Sequence, residues 1–214
     1  MERHVFHITH ITNLPTILSQ GGLWCDSECT RQGVVPVNIA YTDLKAARAT
    51  TRVPVCRQGT LADYVPFYFA PRSPMLYVIH RGGVAGYSAG QEPVIHLVVE
   101  MDAIRERGLP FAFTDGHAAI PFSQFFEDWN DLSRIDWALM KAMYWNNTDE
   151  DGDRKRRRQA ELLVHRFFPW ELVREIGVCT EAIKEQVERL LARSSHKPTV
   201  NVVPNWYYSM GGSP

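Results

Sequence analysis

The stretch from Arg154 to Trp170, RKRRRQAELLVHRFFPW, limits the fold more than any other part of the chain. A dense cationic run resists burial, yet the segment that follows it, Gln159-Ala160-Glu161-Leu162-Leu163-Val164, is apolar, of strand length and broken by one carboxylate. Period-two alternation assigns Ala160, Leu162 and Val164 to one face and Gln159, Glu161, Leu163 and His165 to the other. Glu161 therefore points to a groove or to solvent, not to the deep core. In a groove it is a candidate for chemistry, because an ionised group in apolar surroundings is costly unless paired. The competing reading is a charge on the wet face of an edge strand.

Other elements follow from local signals. Residues 4–9 read as a first strand carrying His7, then a short helix capped by Thr12 or Asn13 and stopped at Gly21-Gly22. Residues 27–37 read as loop. A helix over 39–48, capped at Thr42 or Asp43, carries Arg48, whose guanidinium suits the helix dipole or a bound phosphate. Strands are expected at 65–69 and 76–80, separated by Pro71-Arg72-Ser73-Pro74, where proline forbids continued pairing. Continuous apolarity predicts a strand buried on both faces at 93–99. A helical turn at 101–107, a strand at 110–113 and a turn at 114–117 come next. The aromatic spacing of 118–147 predicts mostly helix.

Residues 149–158, acidic and then basic, read as a solvated or disordered connection whose five cations are also able to track a phosphate backbone. A strand at 175–180 leads into an amphipathic helix at 180–193, with Ile183, Val187, Leu190 and Leu191 on one stripe. A last strand at 199–203 precedes a tail expected to fray outside Trp206-Tyr207-Tyr208. Strands and helices mix without a strict βαβ rhythm, which makes the fold class α+β.

The length of 214 residues fits one domain, taken as 1–208 with a flexible tail at 209–214. A formal charge of −1 gives no global electrostatic case for nucleic acid, so any such surface must be local. No signal sequence and no bilayer-length apolar run is seen, so no membrane partner and a cytoplasmic location are expected. Cys25, Cys29, Cys56 and Cys179 lack paired metal-ligand spacing and read as reduced and structural, with no metal.

Set side by side, several motifs resemble DarT, the DNA ADP-ribosyltransferase toxins of DarT–DarG toxin–antitoxin systems. They are His7-Ile8-Thr9-His10, Ile39-Ala40-Tyr41 with Arg48, Tyr64-Val65-Pro66-Phe67-Tyr68-Phe69 continuing through Pro71-Arg72-Ser73-Pro74-Met75, Gln91-Glu92-Pro93, and Arg158-Gln159-Ala160-Glu161-Leu162-Leu163-Val164. The likeness runs from about His7 to Tyr208. It implies an ADP-ribosyltransferase fold, a split mixed β-sheet with surrounding helices and an NAD-binding cleft, and NAD as co-substrate. It makes Glu161 the catalytic glutamate and Arg48 the second essential residue, on a helix covering NAD. His7 and Thr9, together with Tyr68 and Arg48, are matched to NAD binding. His117 is matched to the loop before the catalytic strand that is associated with substrate choice, and Arg72, Met75 and Arg154 are assigned to substrate DNA. Implied partners are single-stranded DNA and a DarG-type macrodomain antitoxin.

The implied chemistry is consistent with these residues. Cleaving the nicotinamide–ribose bond builds positive charge on the ribose, which a carboxylate can stabilise. The implied acceptor is thymine N3, which must lose its proton and is available only in unpaired DNA. Alternatives at this point are guanine in DNA or RNA as acceptor, NAD hydrolysis alone, and a non-catalytic single-strand-binding module.

Overall fold

A computed structural model describes residues 3–39 and 42–209. Ala40 and Tyr41 of the expected helix start, and residues 210–214 of the expected tail, lie outside the described residues. The strands are β1 (His4–His10), β2 (Gly22–Trp24), β3 (Tyr64–Tyr68), β4 (Val94–Glu100), β5 (Phe111–His117), β6 (Phe125–Phe126), β7 (Ala160–His165), β8 (Phe167–Pro169), β9 (Glu175–Val178) and β10 (Thr199–Val202). The helices are α1 (Leu14–Ser19), α2 (Asp26–Arg31), α3 (Thr42–Thr50), α4 (Pro74–His80), α5 (Met101–Glu106), α6 (Trp137–Lys141), α7 (Arg154–Arg157) and α8 (Glu181–Leu191).

Eight strands form one sheet in the order β10-β9-β4-β1-β3-β7-β5-β6, while β2 and β8 pair separately. Among the described strands only β9 and β10 run parallel, so the sheet is mixed. The junction between β1 and β3 decides its shape. β1 pairs with β4 along its whole length, and β3 with β7 likewise, but β1 meets β3 at one register pair, Phe6 and Tyr68. The two halves of the sheet splay apart on either side of that pair, giving the split α+β architecture.

β7 lies between β3 and β5, so the edge-strand reading of Glu161 is excluded. Ala160, Leu162 and Val164 enter the main core with Val5 and Phe67. Leu163 packs on the other face with Val53, Leu61 and Tyr64, as the alternation requires. Leu162, Leu163 and Val164 are fully buried and each contributes roughly 1.5–3 kcal/mol. Burying an ion costs about several kcal/mol, the same order, which is why this strand tolerates a carboxylate at all.

Four local readings are corrected. Residues 76–80 form α4, not a strand, because Ser73 caps the Leu76 N–H at 3.1 Å and Pro74 occupies the first turn. Residues 26–31 form α2, where Glu28 accepts from Arg31 and Arg166, so this part of the expected loop is a helix pinned by ion pairs. The aromatic stretch 118–147 is mostly irregular: β6, a 3-10 turn at Trp129–Arg134 and the short α6. There the carboxylates of Asp128 and Asp136 accept from the N–H groups of Asn130 and Leu139, closing short turns where a long helix was expected. Residues 114–117 extend β5 through a register shift that pairs His117 with Ala160.

The basic run is also corrected. Arg156 binds Asp153 and Asp115, and Arg157 binds Asp151 and Asp136. Arg154 donates to the Asn146 and Tyr144 carbonyls, and Arg158 is buried. The run is therefore largely a tied structural joint that delivers the chain into β7.

His96 of β4 makes a testable link between core and pH. Its Nε2 donates to the Pro71 carbonyl at 3.0 Å, and its Nδ1 lies 3.2 Å from the Tyr207 hydroxyl. Burial pushes its pKa down to about 4, against the opposing pull of the Pro71 carbonyl. The folded value lies below the ordinary 6.5, so the native state binds fewer protons between the two. The stability His96 protects is complete above pH 6.5 and declines as pH falls toward 4, by about a few kcal/mol in all. Melting temperature is expected to drop across that window, and His96→Gln to flatten part of the slope. An unchanged slope in the variant would contradict this.

Candidate active site

The two halves of the split sheet and the loop before α3 frame a cleft of about 200 Å³ lined by His7, Thr9, Asn13, Tyr68, Arg48 and Glu161 among others. Glu161 reaches it because the odd-numbered face of β7 turns toward the splay, beside its cross-strand neighbour Tyr68. Arg48 reaches it from α3. Its Nη1 donates to Glu161 Oε2 at 2.8 Å and its Nη2 to the Leu61 carbonyl at 3.4 Å. Both side chains are buried, at 8 % and 5 % residue exposure, which makes this a buried ion pair. Burial disfavours the Arg48 charge, but the adjacent Glu161 carboxylate outweighs it and raises the guanidinium's pKa above the ordinary value.

Burial also acts on the groups around the pair. Burial lowers the pKa of His7, although the Pro66 carbonyl and Asp26 oppose it. Its Nδ1 donates to that carbonyl at 2.9 Å, so the neutral ring keeps Nε2 as an acceptor. Burial, and then the Glu161 charge, hold the Tyr68 phenol well above its usual range and therefore protonated. Thr9 Oγ1 accepts from Asn13 Nδ2 at 3.1 Å.

A second cavity of about 160 Å³ adjoins the first at the pair, lined by Arg48, Tyr68, Met75, His117, Gln159 and Glu161 among others. Glu161, Arg48, Tyr68 and Met75 belong to both cavities. The His117 backbone is held by β5, and its carbonyl accepts from Ser123 Oγ at 2.8 Å. Its Nδ1 accepts from the Ala119 N–H at 3.1 Å, which makes Nε2 the donor of the neutral ring.

Seven of the nine expected residues thus come together: Glu161, Arg48, His7, Thr9 and Tyr68 in the cleft, and Met75 and His117 in the adjoining cavity. Arg72 lies elsewhere, its guanidinium 4.4 Å over the Tyr208 ring, and Arg154 is tied to backbone carbonyls. Sequence reasoning missed Thr114, whose Oγ1 accepts from the Glu161 N–H at 3.2 Å and donates to the Gly116 carbonyl at 2.7 Å. It also missed the part played by Asn13, which anchors the segment over the cleft by bonding both the N–H and the carbonyl of Val37. Asn13 had stood out as a helix cap; it makes no side-chain cap bond.

Among the described residues no group of three or more His, Cys, Asp or Glu side chains is placed to hold a metal ion, and the four cysteines are free. No described helix is long and apolar enough to cross a membrane.

Residues 6–208 match the family model described as DarT, ssDNA thymidine ADP-ribosyltransferase. A Thermus aquaticus protein named DNA ADP-ribosyl transferase is 45 % identical over 208 residues, covering 95 % of this chain and 88 % of its own. DarT from Thermus sp. 2.9, solved in complex with ADP-ribosylated ssDNA, superposes with a TM-score of 0.88 at 38 % identity over 97 % of this chain and 100 % of that one. Its complex with NAD+ gives 0.84 at 37 % identity, over 96 % and 98 %. A Thermosipho africanus protein, named as a fusion of DNA ADP-ribosyl transferase with DNA ADP-ribosyl glycohydrolase, is 26 % identical over 209 residues, 95 % of this chain and 50 % of that protein. With the split sheet, the buried Arg48–Glu161 pair and these matches together, the chain belongs to the DarT family of single-stranded-DNA ADP-ribosyltransferases and is an NAD-dependent enzyme.

Proposed function

We propose that this enzyme moves ADP-ribose from NAD to thymine bases in preferred sequence contexts of single-stranded DNA, releasing nicotinamide. One observation carries the reading: the Arg48–Glu161 pair is the shared wall of two cavities, as a transfer between two substrates demands. The cleft on the His7 side takes NAD. Its roughly 200 Å³ is below the ~300–1,000 Å³ usual for ligand pockets, so the cleft holds the nicotinamide–ribose end while the rest of the dinucleotide extends over its open face. The cavity on the His117 side takes the base.

NAD supplies a ribose joined to a cationic ring that leaves as neutral nicotinamide. Glu161 faces the anomeric carbon and stabilises the positive charge that grows there as the bond breaks. A bond then forms between that carbon and thymine N3, whose proton is lost to Glu161 or to water. Arg48 holds the carboxylate in place through its 2.8 Å bond. Neutral His7 offers Nε2 as an acceptor to the nicotinamide end without adding a positive charge beside the developing one. In a duplex N3 is paired, which restricts the reaction to unpaired strands.

The Thermus sp. 2.9 and Thermosipho proteins support two partners, a DNA strand and a macrodomain glycohydrolase antitoxin that removes the mark from DNA modified by this toxin. Mass spectrometry of single-stranded oligonucleotides differing at one base, after incubation with NAD, tests the acceptor. Adducts are expected on thymine alone. Adducts on strands without thymine, or free ADP-ribose as the sole product, would overturn the assignment.

His117→Ala is expected to raise the KM for the oligonucleotide by roughly 10–100-fold, the value of one lost hydrogen bond to a substrate that leaves its partner unpaired. NAD hydrolysis in the absence of DNA should stay within about twofold. Steady-state kinetics with each substrate varied in turn distinguishes this from a general loss of activity.

A further inference from the structure

The splay between β1 and β3 opens in two directions from the Phe6–Tyr68 pair, and only one of them leads to the cleft of Glu161. At the other end, between the start of β1 and the segment that follows β3, lies a separate cavity of about 670 Å³. Glu161, Arg48 and His117 do not line it.

Its lining combines two kinds of group. Arg3, Arg72, Lys141 and Arg158 contribute four cations, and no Asp or Glu occurs among the described lining residues. Phe6, Phe69, Trp137 and Trp206 supply aromatic surface. Arg158 is the informative member. It is 3 % exposed, and its guanidinium donates to the carbonyls of Leu139, Ala142 and Arg72, none of which carries a negative charge. Its Nε is buried with no hydrogen-bond partner, and the Nε of Arg72 is in the same state. Burial lowers the pKa of Arg158 to about 10, the mark of a cation without a counter-charge. A buried charge lacking an opposite partner is costly, and an anion in this cavity would relieve that cost. The Arg3 guanidinium over the Trp137 ring, at 4.6 Å, adds a stacking surface of the kind that accepts a base.

We infer that this cavity is a second ligand site, for a nucleotide unit: a phosphate held by the cationic wall and a base stacked on the aromatic one. The volume suits such a ligand. Its source is a free mononucleotide or a nucleotide of the DNA strand away from the modified base. The site stands independently of the catalytic reading, since it shares no residue with the Glu161 pair.

The probe is dCMP, which carries neither the adenine of NAD nor the proposed acceptor base, with deoxycytidine as the phosphate-free control. Calorimetric titration should show saturable dCMP binding to the wild type and equally to Glu161→Gln, unaffected by NAD. Binding should weaken at least tenfold for deoxycytidine and for Arg3→Glu/Lys141→Glu. Both altered positions are exposed, so the double variant should melt as the wild type does. If DNA is the source, lengthening a substrate strand lowers its KM in the wild type and much less in the double variant. If free nucleotide is the source, strand length affects both alike. No saturable binding of dCMP, binding that the charge reversals leave unchanged, or binding displaced by NAD would overturn the proposal.

Discussion

Glu161→Gln is expected to lower transfer of ADP-ribose to a thymine-containing strand by roughly 10³-fold or more, with NAD affinity changed far less. The substitution keeps the shape of the side chain and a carbonyl oxygen for Arg48, so the pair's geometry survives while its negative charge does not. Of the substrate's states, the one that carries positive charge on the ribose depends most on that charge. The effect should therefore fall on kcat. Single-turnover transfer measured by mass spectrometry, beside equilibrium binding of NAD, separates the two. Transfer retained within tenfold would remove Glu161 from the chemistry.

Arg48→Met is expected to destabilise the fold more than Glu161→Gln, which leaves a carbonyl oxygen to accept from the buried guanidinium. Loss of Arg48 leaves the Glu161 carboxylate buried with no cation beside it, while the residue's backbone N–H still donates to Thr114 Oγ1. Breaking a buried pair in this way costs about 3–5 kcal/mol, a fall in melting temperature on the order of 10 °C for a chain of this size. Transfer should also be lost. Combining Arg48→Met with Glu161→Gln removes both charges, and the double variant should recover most of the stability while staying inactive. If the two changes destabilise additively, the 2.8 Å bond is not the coupling described here.

How much of this was legible in the sequence depends on how local the deciding physics is. The alternation through β7 and the stripe of Ile183, Val187 and Leu191 in α8 are period effects that hold in the structure, although Leu190, expected on the same stripe, is exposed. Pro74 was misjudged because proline bars strand pairing and also starts helices; the Ser73 cap in front of it carried the answer. The basic run was ambiguous for a different reason. Charges read as solvated until their partners are known, and Asp115 lies 41 positions from Arg156. A separation of 47 positions likewise hid Thr114, which serves Glu161 across the β5–β7 ladder. The meeting of Arg48 with Glu161, 113 positions apart, was reached through the resemblance and could not have come from spacing. Arg72, reached by the same route, lies apart from that pair and lines the separate cavity beyond β1.

In the proposed reaction the ion pair stands between the NAD donor and the DNA acceptor. A crystal structure of Glu161→Gln with NAD and a short thymine-containing strand measures this directly. The ribose anomeric carbon is expected beside position 161, with nicotinamide toward His7 and the thymine ring between Met75 and His117. Either substrate bound away from the Arg48 wall, or both on the same side of it, would contradict the account.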